Sequence, residues 1–464
     1  MKNTKARSVI LYFLILTFFS GVGFFIYDFI NKAEKWAFCP INRHLSEGSV
    51  SEGKIVDANG IVLAQTVNGK RTYNEDEGIR RSMLHIVGDG SVFIPTSVQS
   101  RYSTQLFGYN IVTGFGASKI LNTSKNIKLT LDSTICSEVS KSFKDKKGAA
   151  VAYNYLTGEI LCMVSLPTYD INNRPNLSKN DEKYNGVYLN RVLSSCYTPG
   201  SIFKIFTTIA GMDCIKDIEN RKFLCKKVKI IDGEKVSCMQ SHGNLTLKQG
   251  FSKSCDIVFS DIGIELGKEK MGEKLEEFGF NQPQYFEDFE IAHSEYNVSK
   301  ASKADLGWSA IGQYTDKVNP LHMMRVMGAI ANKGVPVEPF LVKSISSSPD
   351  FDSSTLSKKL GKRMINPSTS DKIKEIMRYT MKNQYRDSLF SGICMCAKTG
   401  TAEVGEGKLP HGWMVGFSYD EKFPVAFAVV VENGDFGIKS AGPIAAVMIK
   451  NLYSKFTTNK LKFA

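Results

Sequence analysis

The sequence predicts an α+β protein: an antiparallel sheet flanked by helices, standing on a smaller β-rich region that follows one N-terminal membrane helix. Three observations predict it. Val9 to Tyr27 is almost wholly apolar. Between about Cys39 and Asn126 the chain offers short β-like runs broken by turns. From Ile127 onward helical and strand periods alternate, and the chain finishes with three strand-like runs and a helix.

The apolar stretch is long enough to span the hydrocarbon layer of about 30 Å as a helix. Lys2, Lys5 and Arg7 precede it, which keeps the N-terminus cytoplasmic and places everything after Ile30 outside. A cleaved signal peptide is the competing reading, but the stretch is long for such a segment and no A-x-A-like site follows. The expected divisions are a cytoplasmic tail at 1–7, an anchor at 8–30, a membrane-proximal β-rich pedestal at 31–126 and a large domain at 127–458. Within the pedestal, Asn59-Gly60 between Ile55-Val56 and Ile61-Val62-Leu63 signals a hairpin.

In the large domain Asp132 to Lys146 has helical spacing, and Ala149 to Ser165 reads as two strands around Thr157-Gly158. Ser201 to Met212 is apolar and helical, fit for a buried central helix. Ser346 to Ser357 is rich in Ser and Asp and reads as an exposed loop. Ile393 to Thr401, Met414 to Ser418 and Val425 to Glu432 read as strands, and Ala441 to Lys455 as a closing helix.

The 464 residues carry a formal charge of +13, yet Lys and Arg are scattered, with no basic run or aromatic interleaving. That excludes a nucleic-acid-binding strip and leaves a solvated basic surface. Ten cysteines are many for an exported chain. Cys225 and Cys238 flank a polar segment with Asp232-Gly233 that reads as a hairpin turn, and they are the pair best placed to bridge; sequence leaves open whether they do. Cys394 and Cys396 fall on one side of a strand and are badly placed to bridge each other. No metal-site spacing with a His partner is evident, so neither zinc nor any cofactor is expected.

The chemistry concentrates in Thr198-Pro199-Gly200-Ser201-Ile202-Phe203-Lys204. Pro and Gly turn the chain into a helix, and residues three apart share a helical face. A serine is a weak nucleophile until a base takes its proton, and a desolvated lysine is one of the few side chains able to do so at neutral pH. Ser51-Glu52-Gly53-Lys54 repeats the spacing without a helical pattern, so spacing alone decides nothing. Company decides: Ser254-Cys255-Asp256 opens a helical stretch downstream, and Lys398-Thr399-Gly400-Thr401 follows an apolar run. These three elements in this order make up the serine acyl-transfer set.

On those motifs the chain resembles the class B penicillin-binding proteins, D,D-transpeptidases of bacterial cell-wall synthesis. The resemblance extends over nearly the whole length. Gly53 to Ala64 is similar to the family's membrane-proximal signature, and Thr157-Gly158-Glu159-Ile160, Ser165-Leu166-Pro167 and Tyr169-Asp170 to the start of its catalytic domain. His242-Gly243, Ile311-Gly312-Gln313, Asn319-Pro320-Leu321, Ala331-Asn332-Lys333-Gly334 and His411-Gly412-Trp413 follow in the family's order.

The resemblance implies a serine β-lactamase/D,D-peptidase-like fold in which Ser201 attacks the penultimate D-alanine carbonyl of a peptidoglycan stem peptide and forms an acyl-enzyme. Lys204 would be the general base, and Ser254 would relay a proton to the leaving amine. Lys398, with the Thr399 and Thr401 hydroxyls, would hold the terminal carboxylate, which also implies β-lactam binding. Gly400 would let the backbone approach the ligand, and the N–H groups of Ser201 and Thr401 would form the oxyanion hole. Asp256 would contact the substrate amide or Lys204, and it departs from the commoner Asn. An ionised Asp donates no hydrogen bond, and its charge opposes a free-base Lys204 unless it turns away. His242 and His411 lack a carboxylate at useful spacing and read as structural, and Cys196 as a packed thiol.

A membrane glycosyltransferase partner is implied, since no glycan-polymerising region is present. The rival readings are a D,D-carboxypeptidase, a β-lactamase using Glu277 with Asn281, and a catalytically weak scaffold.

Overall fold

The computed structural model describes residues 2–37, 52–91, 93–108, 124–177, 181–347 and 358–462. Most of the expected 346–357 loop, and residues 38–51 and 109–123 of the expected pedestal, Cys39 among them, lie outside them, while 31–37 continue the N-terminal helix. Lys2–Ala37 is one helix, and its Ser8–Asp28 stretch has a mean hydropathy of 2.4 and exposed side chains. Length and composition allow that stretch to cross a membrane.

The first sheet has five strands in the order Val342–Ser346, Asn126–Leu129, Ile55–Val56, Val62–Val67, Lys70–Tyr73. The hairpin expected at Asn59-Gly60 forms between the third and fourth of these strands, with Gly60 at φ +85°. Buried Asp57 closes its turn, one carboxylate oxygen accepting from the Asn59 and Ile61 amides. The other accepts from the amide and hydroxyl of Ser133 at the start of helix Ser133–Ser142, tying turn to helix. Val342–Ser346 reaches this sheet from far along the chain, which no local pattern announces.

The central sheet is antiparallel, ordered Met395–Ala402, His411–Ser418, Val425–Val431, Gly148–Asn154, Ile160–Leu166. Its middle strands are wholly buried, which is why they read as unbroken apolar runs rather than alternating ones. Pro320–Ala331 packs on it from one group of helices, Gly437–Lys462 and Ser133–Ser142 from another. The closing helix is longer than its apolar pattern at 441–455, running from Gly437 through Pro443 to Lys462. Met395–Ala402 is an edge strand and faces the turn before helix Lys204–Cys214, whose residues from Lys204 to Gly211 are buried.

Candidate active site

Ser201 does not lie in the α-helix that its spacing suggests. It occupies a 3-10 turn, Gly200–Ile202, and the α-helix begins at Lys204. Gly200 makes the turn possible: its φ is +54°, and a Cβ there would sit 2.4 Å from the Thr401 carbonyl oxygen. Only glycine meets both demands. The turn therefore presses against the edge strand, and its amide bonds the Gly312 carbonyl at 2.8 Å.

Lys204 is fully buried and gathers the site. Its Nζ lies 3.0 Å from Ser201 Oγ, 2.8 Å from the Ser254 carbonyl, 3.2 Å from Ser254 Oγ and 2.6 Å from Asp256 Oδ1. Asp256 thus does not turn away; it ion-pairs with Lys204 while its side chain stays 23% exposed. It opens helix Asp256–Glu277, where the positive end of the helix dipole favours a carboxylate.

Ser254 lies just outside that helix, in the left-handed region at φ +52°, with Cys255 as the cap. From there its hydroxyl reaches both lysines, since Lys398 Nζ donates to it at 3.0 Å. Lys398 also donates to the Thr399 carbonyl at 2.9 Å. It is fully buried, and desolvation, followed by the charge of Lys204, pushes its pKa well below the usual lysine range, against the pull of Asp256.

The edge strand turns alternate backbone groups outward. The Thr401 carbonyl accepts from Gln313 Nε2 at 3.4 Å, and the Thr399 amide donates to the Tyr385 hydroxyl at 3.2 Å. In an extended strand the N–H and C=O of one residue face the same side, so the Thr401 amide faces outward as well. Gly400 has its own steric reason, because a Cβ there would meet the Pro199 carbonyl at 2.7 Å. All eight expected site residues, Ser201, Lys204, Ser254, Asp256, Lys398, Thr399, Gly400 and Thr401, converge around the turn and this strand.

Tyr385 was not foreseen. Its buried hydroxyl lies 2.7 Å from Thr399 Oγ1, carried there by the π-helical turn Met381–Tyr385, for which the sequence gives no signal. Gln313, from the Ile311-Gly312-Gln313 motif, reaches the same strand at Thr401. Cys196 is a packed thiol that donates to the His293 carbonyl, and burial pushes its pKa up to about 12. His411 accepts from the Asn433 amide and packs its ring against Tyr197. Glu277 ion-pairs with Lys274 at the far end of the helix that Asp256 opens, and Asn281 ties down the Tyr296 carbonyl. Neither residue approaches the serine.

His242 lies in a cluster that its sequence spacing does not announce. Cys225, Cys238, His242 and Cys255 bring their ligand atoms within 4.8 Å of one another. No disulfide joins the described cysteines; Cys225 and Cys238 are buried free thiols.

The penicillin binding protein transpeptidase domain model matches residues 148–450, well over half of the chain. The chain belongs to that family. Among curated relatives, peptidoglycan D,D-transpeptidase PbpA of Mycobacterium tuberculosis is 30% identical over 327 residues, and its namesake in Mycolicibacterium smegmatis 28% over 328. Each alignment spans 65% of this chain and 65% of the relative's own length. Penicillin-binding protein A of M. tuberculosis, solved as a ceftriaxone acyl-enzyme, superposes with a TM-score of 0.75 at 26% identity, covering 88% of this chain and 99% of that one. The D,D-transpeptidase domain of a peptidoglycan glycosyltransferase from Eggerthella lenta gives 0.73 at 26% identity, covering 88% and 99%.

Proposed function

We propose that this penicillin-binding protein is a peptidoglycan D,D-transpeptidase that cross-links stem peptides through an acyl-enzyme on Ser201 and is inhibited covalently by β-lactams. The observation that carries the reading is the continuous polar chain Ser201, Lys204, Ser254, Lys398, with contacts of 3.0, 3.2 and 3.0 Å.

Lys204 can take a proton only as the free base, the form its ion pair with Asp256 opposes, and in that form it has two N–H donors and a lone pair. The donors match the Ser254 carbonyl and Asp256, which leaves the lone pair for the Ser201 proton. Ser201 Oγ attacks the penultimate D-alanine carbonyl, and its proton passes to Lys204. The Ser201 and Thr401 amides receive the developing oxyanion. As the carbon–nitrogen bond breaks, a proton travels through Ser254 Oγ to the departing D-alanine amine. An amine of a second stem then accepts the acyl group and restores the serine. Lys398 in its charged form, with the Thr399 and Thr401 hydroxyls, holds the terminal carboxylate, and binding that carboxylate returns to Lys398 the proton that burial disfavours.

The same proposal takes residues 8–30 as a single membrane anchor with a cytoplasmic tail at 1–7. Residues 31–126 serve as a pedestal and 127–458 as the extracytoplasmic transpeptidase domain, working beside a membrane glycosyltransferase. The test is to label the full chain with a fluorescent penicillin and map the adduct by mass spectrometry. A stable adduct on Ser201, absent from a folded Ser201→Ala variant, is the expected result. Labelling that persists in Ser201→Ala overturns the assignment, and an adduct that hydrolyses within seconds points to a β-lactamase.

A further inference from the structure

Between the nucleophile helix and the helix opened by Asp256 lies a small β module. Phe223–Cys225 pairs with Gly243–Leu245, and a hairpin, Val228–Ile231 with Glu234–Ser237, projects beyond them. Its core is thin. Phe223, Ile231, Val236 and Leu245 are buried, while Leu224, Val228, Ile230 and Met239 are exposed. The four buried side chains join the main core through the neighbouring helices, so the module has little apolar core of its own.

A candidate staple sits at its base. Cys225 ends the first strand, Cys238 follows the hairpin, His242 precedes the last strand and Cys255 caps the helix. His242 Nδ1 lies 3.6 Å from Cys225 Sγ and 3.5 Å from Cys238 Sγ, and Cys238 Sγ lies 4.0 Å from Cys255 Sγ. A tetrahedral ion with bonds of about 2.3 Å to sulfur and about 2.0 Å to nitrogen requires S···N edges of about 3.6 Å and S···S edges of about 3.8 Å. Three of the six edges match these values, and all six lie within 4.8 Å. Hydrogen bonding explains the cluster less well, because one imidazole nitrogen faces two sulfurs and thiols are weak donors. A disulfide would account for two of the four groups only.

We propose that Cys225, Cys238, His242 and Cys255 bind one zinc ion in a closed, structural site. Three thiols each release a proton to solvent on binding, and the imidazole coordinates in its neutral form through Nδ1. Three soft sulfurs and one nitrogen in a tetrahedron suit zinc over the oxygen-seeking cations.

The position of Cys255 gives the ion a second consequence. Cys255 stands between Ser254, held at φ +52°, and Asp256, paired with Lys204. A non-glycine residue in the left-handed region persists only where its surroundings over-determine it. Ligation of Cys255 supplies such a constraint, so the zinc site positions the hydroxyl that serves both lysines. Zinc binding itself does not depend on the transpeptidase reading; only the labelling experiment below does.

The test uses the full chain purified in detergent without chelators. Its zinc is counted by plasma mass spectrometry and by release with a mercurial thiol reagent into a colorimetric zinc dye. The expected content is about one zinc per chain. It falls at least about tenfold in Cys238→Ser and in His242→Phe but is kept in His242→Cys, which preserves four ligands. Because Cys238→Ser could unfold the module, the partly exposed His242 pair decides the matter, with circular dichroism showing both variants folded. Stripping the metal should also slow penicillin labelling of Ser201 about tenfold or more, restored by zinc alone.

Folded chain with intact thiols and less than about a tenth of an equivalent of zinc, unable to take up added zinc, overturns the site. So does a Cys225–Cys238 disulfide mapped in the protein as isolated. Stoichiometric zinc whose removal leaves labelling unchanged overturns the positioning role. Stoichiometric zinc with no labelling under any condition retains the metal site and counts against the transpeptidase reading.

Discussion

Replacing Gly200 by alanine separates two ways in which a glycine can matter. The first cost is conformational: alanine at φ +54° costs about 1–2 kcal/mol. Gly60 pays the same cost at φ +85° but has open space around its missing Cβ. The second cost is specific to Gly200, where the new methyl would lie 2.4 Å from the Thr401 carbonyl oxygen, and neither partner is a flexible side chain. Ordinary contact demands about 1 Å more, so the Gly200–Ile202 turn and the edge strand must separate by roughly that distance. A misplacement of about 1 Å among reacting groups costs about a hundredfold in rate, or about 2.7 kcal/mol of barrier. Stopped-flow acylation with a fluorescent penicillin, beside melting temperatures, reads both effects. Gly60→Ala should lose stability and keep the wild-type acylation rate; Gly200→Ala should lose both. Acylation of Gly200→Ala at the wild-type rate would refute the claim that contact between turn and strand sets the position of Ser201.

Three further outcomes follow from the same structure. Tyr385→Phe removes the hydroxyl that pairs with Thr399 and leaves its amide without that partner, a loss of about 1–3 kcal/mol; with a thioester donor, KM should rise more than kcat falls. Asp256→Ala takes from the fully buried Lys204 both its counter-charge and a hydrogen-bond acceptor, which costs about 3–5 kcal/mol, whereas Asp256→Asn removes the charge but keeps the acceptor and should cost less in melting temperature. His322 is buried between Ser294 and the Phe278 carbonyl, and burial holds its pKa at about 4 against the ordinary 6.5. The unfolded chain therefore takes the proton first. The stability is complete above about pH 6.5 and drains as pH falls toward 4, by up to about 3 kcal/mol, so His322→Gln should show a shallower loss of melting temperature across that window.

Much of the architecture was legible because the deciding signals are local. Asp132 caps its helix, Asn59-Gly60 turns its hairpin, and the strands Gly148–Asn154 and Val425–Val431 are apolar on both faces because both are covered. Ser201 and Lys204 were legible as a pair through their spacing, even though the serine lies in a 3-10 turn before the helix. What escaped depends on distant chain segments. Val342–Ser346 completes a sheet begun nearly three hundred residues earlier, and Tyr385 reaches Thr399 through a π-helical turn that no residue type marks.

The metal-like cluster escaped for a related reason. Its members stand 13, 4 and 13 positions apart (225 to 238, 238 to 242, 242 to 255), and only the pairing of two short strands across the hairpin closes those intervals. Ser254-Cys255-Asp256 also conceals it. Read as a catalytic motif, the triplet assigns work to its first and third residues and leaves the middle one silent. The backbone explains that silence: the left-handed Ser254 and the first helical residue Asp256 both face the lysines, while the Cys255 sulfur points into the β module beside Cys238. One tripeptide thus faces two centres, and a cysteine at its middle position costs the catalytic face nothing. The shortest covalent link between the module and the Ser201 site is this stretch of backbone, so loosening the module should register first at Ser254.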